Sequence, residues 1–189
     1  ISLQFDAIGH PVTPEQYEAI IRDGYGANAD RVLAMYPLSA FPSPSIALST
    51  VNTDFGTALS TCAHLDSYRT FTTVPVHAYQ FADRTAPPLL EVPNFDEGAQ
   101  HAVELNFLFP RLFGAPLRAD QEALATTMVA YWTNFAHRGT PGGHKLPDWP
   151  RFGSESDVLS LDIGPGNVRP TDIAAASNCA FWAALPPQK

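Results

Sequence analysis

The chain has 189 residues, 45% of them hydrophobic and 11% aromatic, which is enough to bury the core of one substantial globular domain. Eleven lysines and arginines against 19 acidic residues give a formal net charge of -8, without a block of like charges. Nucleic acid and anionic membrane surfaces are therefore not expected partners. No apolar run approaches the roughly 20 residues that span a bilayer, and the opening residues lack the basic segment of a signal peptide.

Helices are predicted throughout the first third of the chain. The first begins after Thr13, because a proline follows directly and Gln16 stands at the spacing of a capping box, and it is expected to end at Gly24. A second, short helix is predicted over residues 28–35. From 45 to 70 the apolar residues recur at helical spacing, so that Cys62 is expected on a buried helix face. These apolar residues are Ile46, Leu48, Phe55, Leu59, Cys62 and Leu65.

The remaining elements are a strand, a long helix, a strand pair and a final helix. Residues 74–82 predict a strand covered on both faces, as in a parallel sheet, because β-branched and aromatic residues occupy both faces. The longest helix is expected over 118–139, and 158–163 begins a pair of short strands that ends at Pro170. The closing helix is expected to be capped by Thr171. The apolar stripe of the long helix comprises Leu124, Met128, Tyr131, Trp132 and Phe135.

Metal chemistry is not expected in this chain, and no cofactor is predicted. There is no Cys-x-x-Cys pair, which excludes a zinc ribbon. Five of the six histidines have no Cys or His neighbour at ligand spacing: His10, His64, His77, His137 and His144. His77 in the predicted strand and His137 at a helix end are expected to be structural.

His101 differs from the other histidines in its setting. It follows Gly98 and Ala99, two small residues that permit close approach of the backbone, and it lies where a loop meets a short helix. Catalytic residues concentrate on loops held by a rigid scaffold. The residues alone therefore leave two roles open for His101, a catalytic base and a core histidine.

The segment "GAQHAVELNFLF", residues 98–109, resembles the histidine segment of type-B carboxylesterases, the α/β-hydrolase group that includes para-nitrobenzyl esterases and cholinesterases. That pattern runs Gly-x-x-His-x-x-Glu-(aliphatic)-x-Phe-(aliphatic)-Phe, and this chain matches it throughout. Further segments resemble the family in the same order and spacing: "VHAYQFA", "YWTNFAHRGTP", "LPDWPRF" and "NCAFW".

The resemblance implies an α/β fold: residues 1–189 would be the C-terminal portion of one α/β-hydrolase domain, helix-rich and with an incomplete sheet in which 74–82 is a central strand. It implies that His101 is the base of a catalytic triad. Glu104 would be either a second acid beside the site or a structural hydrogen-bond acceptor. We expect Phe107 and Phe109 to belong to the core rather than to an acyl pocket.

The chain departs from the family pattern in what it lacks. The nucleophile elbow Gly-x-Ser-x-Gly occurs nowhere in it, nor does a Gly-Gly-Gly run for an oxyanion hole. The Asp-Glu-Gly at 96–98 lies only a few residues before His101, whereas the family's acid lies far upstream, so Glu97 is interpreted as a loop residue. Because the chain also starts without Met, we expect it to be a fragment that begins just after the triad acid, with nucleophile and acid in a preceding portion.

The two cysteines acquire a pairing only through the resemblance. Taken alone, Cys62 and Cys179 favour two buried thiols. They occupy the positions that a disulfide joins in cholinesterase-like members of the family. The resemblance thus implies a bridge and an extracellular or secreted protein.

The resulting functional hypothesis is a serine carboxylesterase that hydrolyses small carboxylic esters. Its partners would be the ester substrate and the missing N-terminal portion of the same enzyme, and this chain alone is expected to be inactive. The alternative is a non-catalytic, cholinesterase-like adhesion or binding module. A Gly-x-Ser-x-Gly elbow in the upstream sequence would favour the enzyme, and its absence the module.

Overall fold

A computed structural model describes residues 11–71, 73–89, 95–110, 112 and 116–186. The chain divides into two compact units, the first formed by residues up to Ser67 and from Ala174 onward, the second by Tyr68–Ile173. Each unit has a hydrophobic core cluster of its own. None of the helices in the described part is long and apolar enough to cross a membrane.

Eight α-helices and three strands are described, and four of the helices precede the first strand. The helices are α1 (Pro14–Tyr25), α2 (Ala29–Met35), α3 (Pro44–Asp54), α4 (Thr61–Thr70), α5 (Leu105–Leu108), α6 (Ala119–Arg138), α7 (Ile173–Ala176) and α8 (Cys179–Ala183). The strands are β1 (Tyr79–Phe81), β2 (Val158–Leu161) and β3 (Arg169–Thr171).

Helix α1 begins with the predicted capping box. The Thr13 hydroxyl accepts a hydrogen bond from the backbone N–H of Gln16 at 3.2 Å, and the Gln16 side chain accepts one from the Thr13 N–H at 2.9 Å. The helix runs through Gly24 and ends at Tyr25, so the predicted end was wrong. The reason is Gly26, whose φ of 49° supplies the positive dihedral at the C-cap.

The helical region 45–70 is two helices rather than one. Helices α3 and α4 are separated around Gly56, which has a φ of 126°, and a Cβ there would lie 2.7 Å from the Tyr25 hydroxyl and force it to move. Cys62 and Leu65 are buried as predicted, whereas Phe55 and Leu59 are 38% and 59% exposed because they fall in the break.

The described sheet has three strands in the order β1-β2-β3. Strand β1 is parallel to β2, with Tyr79 opposite Leu159, and β2 is antiparallel to β3, which confirms the predicted strand pair. The expected strand 74–82 is shorter, and Val74 is 49% exposed. We also expected β1 to be central, but β2 occupies the middle of the described sheet. An apolar pattern indicates that both faces of a strand are covered, but it does not indicate which strands lie beside it in the sheet.

Two further differences concern the C-terminal segment. The predicted single helix is interrupted between α7 and α8 by Asn178, whose φ of 52° lies in the left-handed region that asparagine tolerates better than most residues. Thr171 is the last residue of β3 rather than a helix cap.

Helix α6 ends at Gly139 as predicted, with a φ of 72°. Of its apolar stripe, Leu124, Met128 and Tyr131 are buried in the second core, while Phe135 is 47% exposed. The stripe is therefore buried from Leu124 to Tyr131 and exposed at its end, at Phe135.

Candidate active site around His101

His101 is exposed and lies in a turn that leads into α5. It belongs to the second unit and to the segment between β1 and α5, of which residues 90–94 are outside the description. Because the ring is exposed, side-chain packing contributes little to its placement, and the backbone on either side of it matters most. We call residues 95–104 the His101 loop.

An ion pair holds the entry to the His101 loop. Arg84 Nη2 lies 2.7 Å from Asp96 Oδ2, and this interaction holds the pKa of the Asp96 carboxyl below its usual range. Both side chains are more than half exposed, at 61% and 65%, so the pair contributes little to stability. Gly98 has a φ of 59°, and the Arg84 guanidinium lies over it where a Cβ would approach within 3.0 Å.

The residue before His101 is the buried anchor of the loop. Gln100 is only 6% exposed. Its Oε1 accepts a hydrogen bond from the backbone N–H of Leu89 at 2.7 Å, and its Nε2 donates one to Glu97 Oε2 at 2.7 Å. Glu97 is itself 8% exposed. It is thus a loop residue, as interpreted, but a buried and hydrogen-bonded one.

The residue after His101 is held in an unusual backbone conformation. Ala102 has a φ of 70°, in the left-handed region that only glycine adopts freely. The backbone carbonyl of Ala102 accepts a hydrogen bond from the Leu105 N–H at 3.2 Å, which ties this strained residue to the start of α5. Such conformations are retained where the surrounding structure enforces them, and they cluster at functional sites.

Glu104 lies at the N-terminal boundary of α5 and is partly buried. Its backbone carbonyl accepts hydrogen bonds from the N–H groups of Phe107 and Leu108, at 3.0 and 3.3 Å. Burial raises the pKa of Tyr79 to about 12, and the Glu104 carboxylate adds to that shift. The carboxylate therefore exerts its charge on a tyrosine of β1, and both roles proposed for Glu104 stay predictions.

The two phenylalanines of the matched segment have different environments. Phe107 is fully buried, and its ring centroid lies 4.9 Å from that of Phe81. Phe109 is 59% exposed, so its assignment to the core was wrong. The backbone leaves the helical conformation at Phe109, the C-cap of α5, with a φ of -127° and a ψ of 82°, so Phe109 does not continue the helix to which Phe107 belongs.

A buried carboxylate follows β1 that sequence reasoning missed. Asp83 is 1% exposed. It accepts hydrogen bonds from the N–H and hydroxyl of Thr85, at 2.9 and 2.7 Å, and from Gln121 Nε2 at 2.8 Å. Gln121 Nε2 also donates to the Thr85 carbonyl at 3.0 Å. The only signal in the sequence was the position of Asp83 directly after a strand.

The first unit contains a covalent link and a further buried carboxylate. Cys62 and Cys179 form a disulfide, the pairing that the resemblance implies, with their Cα atoms 5.5 Å apart. Asp54 is 5% exposed, and its Oδ2 accepts a hydrogen bond from the Tyr36 hydroxyl at 2.8 Å. Burial raises the pKa of Asp54, and the hydrogen bonds that it accepts from Tyr36 and Asn178 oppose that rise.

The remaining histidines have various surroundings. His77 Nδ1 lies 3.1 Å from the carbonyl oxygen of Pro150, and its ring packs edge-on against Trp149, 6.2 Å between centroids. His144 is exposed in a turn of the second unit, and His10 lies outside the described residues. Within the described ranges, no group of three or more His, Cys, Asp or Glu side chains is arranged to hold a metal ion.

The amino-acid sequence matches the model of the carboxylesterase family over residues 31–182, a span that includes the His101 loop and both cysteines. The chain belongs to the carboxylesterase family. Family membership implies the α/β-hydrolase fold, and a helix-rich structure with a three-stranded sheet is consistent with part of that fold.

Individual carboxylesterase relatives support the same assignment. Carboxylesterase 4A of Bos taurus is 37% identical over 112 residues, which cover 59% of this chain and 20% of that protein. Cocaine esterase of Homo sapiens is 33% identical over 124 residues, covering 61% and 20%. The medium-chain fatty acyl-CoA hydrolase precursor of Anas platyrhynchos is 38% identical over 90 residues, covering 47% and 16%. This chain thus spans about a fifth of the length of these relatives.

Proposed function

We propose that this chain is the C-terminal part of a serine carboxylesterase and supplies the histidine of its catalytic triad. The observation that carries the proposal is His101 itself, an exposed imidazole on a turn inside the segment that matches the family. The buried Gln100 precedes it and the left-handed Ala102 follows it, so the backbone that carries the imidazole is constrained on both sides. Constrained backbone around an exposed titratable group is typical of a working site.

The proposed chemistry is acyl transfer to a serine hydroxyl. His101 takes the proton from that hydroxyl as the oxygen attacks the ester carbonyl, and then returns the proton to the leaving alcohol. Water repeats the sequence on the acyl-enzyme with His101 again acting as base. The nucleophile, the carboxylate that orients His101 and the oxyanion donors lie in a preceding portion of the enzyme, because this sequence has neither a Gly-x-Ser-x-Gly elbow nor a Gly-Gly-Gly run.

The substrate class is small, fairly apolar carboxylic esters. Relatives are named as a cocaine esterase, an acylcarnitine hydrolase of Mus musculus and a pyrethroid hydrolase of Rattus norvegicus, so their named substrates differ. The cholinesterase-like binding module is less well supported, because these relatives bear the names of hydrolases and because the histidine segment is intact here.

The compartment we propose is oxidising, with the mature enzyme extracellular or secreted. The disulfide between Cys62 and Cys179 supports this, because such bridges persist in secreted proteins and are rare where thiols are kept reduced.

The test is hydrolysis of a p-nitrophenyl ester by the purified 189-residue chain and by the full-length protein that contains it. The chain alone should be no better a catalyst than free histidine at the same concentration, since it would bring only the base. The full-length protein should turn over the ester and lose that activity to a serine-directed phosphonate. Turnover by the isolated chain that the phosphonate abolishes would overturn the fragment assignment. A full-length protein without esterase activity would favour the binding module.

A further inference from the structure

We infer that Gln100 is a positioning residue for His101, and that it acts by fastening the His101 loop to the core of the second unit. This inference rests on the proposed function, because it supplies the mechanism that keeps the catalytic imidazole in place. Gln100 does not touch the reacting atoms in this account, so its effect would be transmitted through the backbone of the next residue.

The first support is the division of burial between adjacent side chains. His101 is exposed, whereas the side chain of Gln100 lies almost wholly within the protein, with 6% exposure. A glutamine is seldom buried to this degree unless its amide is hydrogen-bonded. Here both ends of the amide have partners, so the side chain has a defined orientation.

The second support is where the two hydrogen bonds lead. The Leu89 N–H that donates to Gln100 belongs to a residue eleven positions earlier, and the Leu89 side chain packs against the second core cluster. The bond to Glu97 is made to a buried carboxylate three positions earlier in the same loop. One bond thus joins the loop to the core, and the other closes the loop on itself.

The third support is the local backbone. The Gln100 N–H donates to the Gly98 carbonyl at 3.0 Å, and the Gln100 carbonyl accepts from the Val103 N–H at 3.3 Å. Together with the left-handed Ala102, these contacts form a tight succession of turns around His101. In such a turn, a change at one residue is transmitted to its neighbour, because there are few dihedrals to absorb it.

Loss of the Gln100 amide should therefore displace the His101 imidazole from its catalytic position. Gln100→Ala removes the hydrogen-bond partner of the Leu89 N–H and one partner of the Glu97 carboxylate. Because an unpaired buried polar group is costly, the loop should rearrange until both groups have new partners. Misplacement of a catalytic group by an ångström costs up to about 100-fold in rate. We expect kcat of the full-length protein to fall about 10- to 100-fold and KM to change by less than about twofold.

Glu97 offers a second, milder test that does not remove Gln100. Glu97→Ala deletes one of the two bonds and should lower kcat about 3- to 10-fold, whereas Glu97→Gln retains a carbonyl acceptor for Gln100 Nε2 and should restore nearly full kcat. This pair keeps the inference testable if Gln100→Ala does not fold. The Gln100→Ala and Glu97→Ala effects should be less than additive in the double variant, because they break the same contact.

Gln121 is the matched control. It is a glutamine of the same unit, 1% exposed, and both ends of its amide are hydrogen-bonded as in Gln100: Nε2 donates to Asp83 and to the Thr85 carbonyl, and Oε1 accepts from the Arg118 N–H at 3.1 Å. Gln121→Ala should lower stability at least as much as Gln100→Ala and leave kcat per folded molecule unchanged. Folding of each variant is checked by circular dichroism and by its melting temperature.

The outcome is decided by steady-state kinetics of five full-length variants on one p-nitrophenyl ester. These are Gln100→Ala, Glu97→Ala, Glu97→Gln, Gln121→Ala and His101→Ala. The inference holds if kcat falls in Gln100→Ala and Glu97→Ala, stays near wild type in Glu97→Gln and Gln121→Ala, and KM is nearly constant in all four. It is overturned if folded Gln100→Ala has wild-type kcat, or if Gln121→Ala loses as much. If His101→Ala keeps its activity, the proposed function itself fails, which is a different result from failure at Gln100 alone.

Discussion

Around Cys62, residues far apart in the sequence are held together by a covalent bond and a buried network, whereas the His101 loop is held mainly by contacts among near neighbours. The disulfide spans 117 positions, and Trp182 donates to the hydroxyl of Tyr36, 146 positions away, at 2.9 Å. In the loop, the bonds that Gln100 makes reach only 3 and 11 positions. The two regions belong to different units.

The difference indicates how stability and function are divided in this chain. A covalent cross-link that closes a long loop restricts the unfolded chain most, so the disulfide in the Cys62 region should contribute strongly to the free energy of unfolding. Short-range contacts fix local geometry at little gain in stability, and sites that must admit a substrate are drawn from the less stable parts of a fold. Changes near Cys62 should therefore alter stability, and changes near His101 should alter rates.

The disulfide gives the largest expected effect on stability. Replacing both cysteines by serine should lower the free energy of unfolding by about 3 to 5 kcal/mol, because the cross-link no longer restricts the unfolded chain. Urea unfolding of the 189-residue chain measures this. Reduced wild type should match the double variant, and the unreduced, denatured chain should contain no titratable thiol. Equal unfolding free energies for the oxidised chain and the variant would contradict the assigned role of the bridge.

Two buried tyrosines sharpen the comparison within the first unit. The Tyr36 hydroxyl donates to Asp54 and accepts from Trp182 and Asn178, whereas the Tyr17 hydroxyl has one partner, the Tyr36 carbonyl at 2.7 Å. Tyr36→Phe should cost about 2 to 3 kcal/mol because the buried Asp54 and Trp182 and the partly buried Asn178 each lose a partner, and Tyr17→Phe about 1 kcal/mol. Thermal unfolding of both variants measures the difference. Equal losses would show that the network is no stronger than a single hydrogen bond.

A smaller effect is expected at the left-handed alanine. Ala102→Gly should raise the free energy of unfolding by about 0.5 to 1 kcal/mol, and Ala102→Val should lower it by about 1 kcal/mol, because only glycine adopts a φ of 70° without steric cost. Lys145 has a φ of 66° in an exposed turn and is the control. Lys145→Gly should stabilise the chain similarly, but only Ala102→Gly should lower kcat of the full-length protein. Equal kcat in both variants would show that the left-handed conformation at Ala102 does not affect the reaction.

The smallest expected effect is a pH dependence at Asp54. Its folded pKa is raised by burial, so the unfolded chain releases this proton at lower pH than the folded chain does. Stability from this residue is therefore present in acid and is lost as pH rises from the unfolded value, about 4, through the folded one. The free energy of unfolding of wild type, minus that of Asp54→Asn, should therefore be smaller at pH 7 than at pH 4, as measured by urea unfolding. A difference that does not change with pH would contradict the raised pKa.

Local rules of sequence predicted the elements that depend on local chemistry. The capping box at Thr13, the stop at Gly139 and the strand pair beginning at Val158 were each signalled by a few adjacent residues. The break at Asn178 was missed because several residue types around it favour a helix, and one left-handed residue overrides them. The predominance of helices followed from the elements predicted by local patterns, whereas the α/β-hydrolase class was implied only by the family resemblance.

The site was only partly predictable for a related reason. His101 was distinguished by its match to a family segment, and its exposure in a turn is compatible with that role. The burial of Gln100 left no trace in the sequence, since a glutamine in a polar loop is ordinarily solvated. The exposure of Phe109 likewise depends on where a four-residue helix ends, which tertiary contacts decide.

The most direct test of the account is the kcat of full-length His101→Ala against that of His144→Ala, with stability measured on the same samples. Both histidines are exposed in turns of the second unit, so they differ chiefly in their proposed role. We predict that His101→Ala loses several orders of magnitude in kcat on a p-nitrophenyl ester, as removal of a triad member does elsewhere. Its melting temperature should stay that of wild type, and His144→Ala should be unchanged in both measurements. Near-normal turnover by folded His101→Ala would contradict the assignment of His101 as the catalytic base.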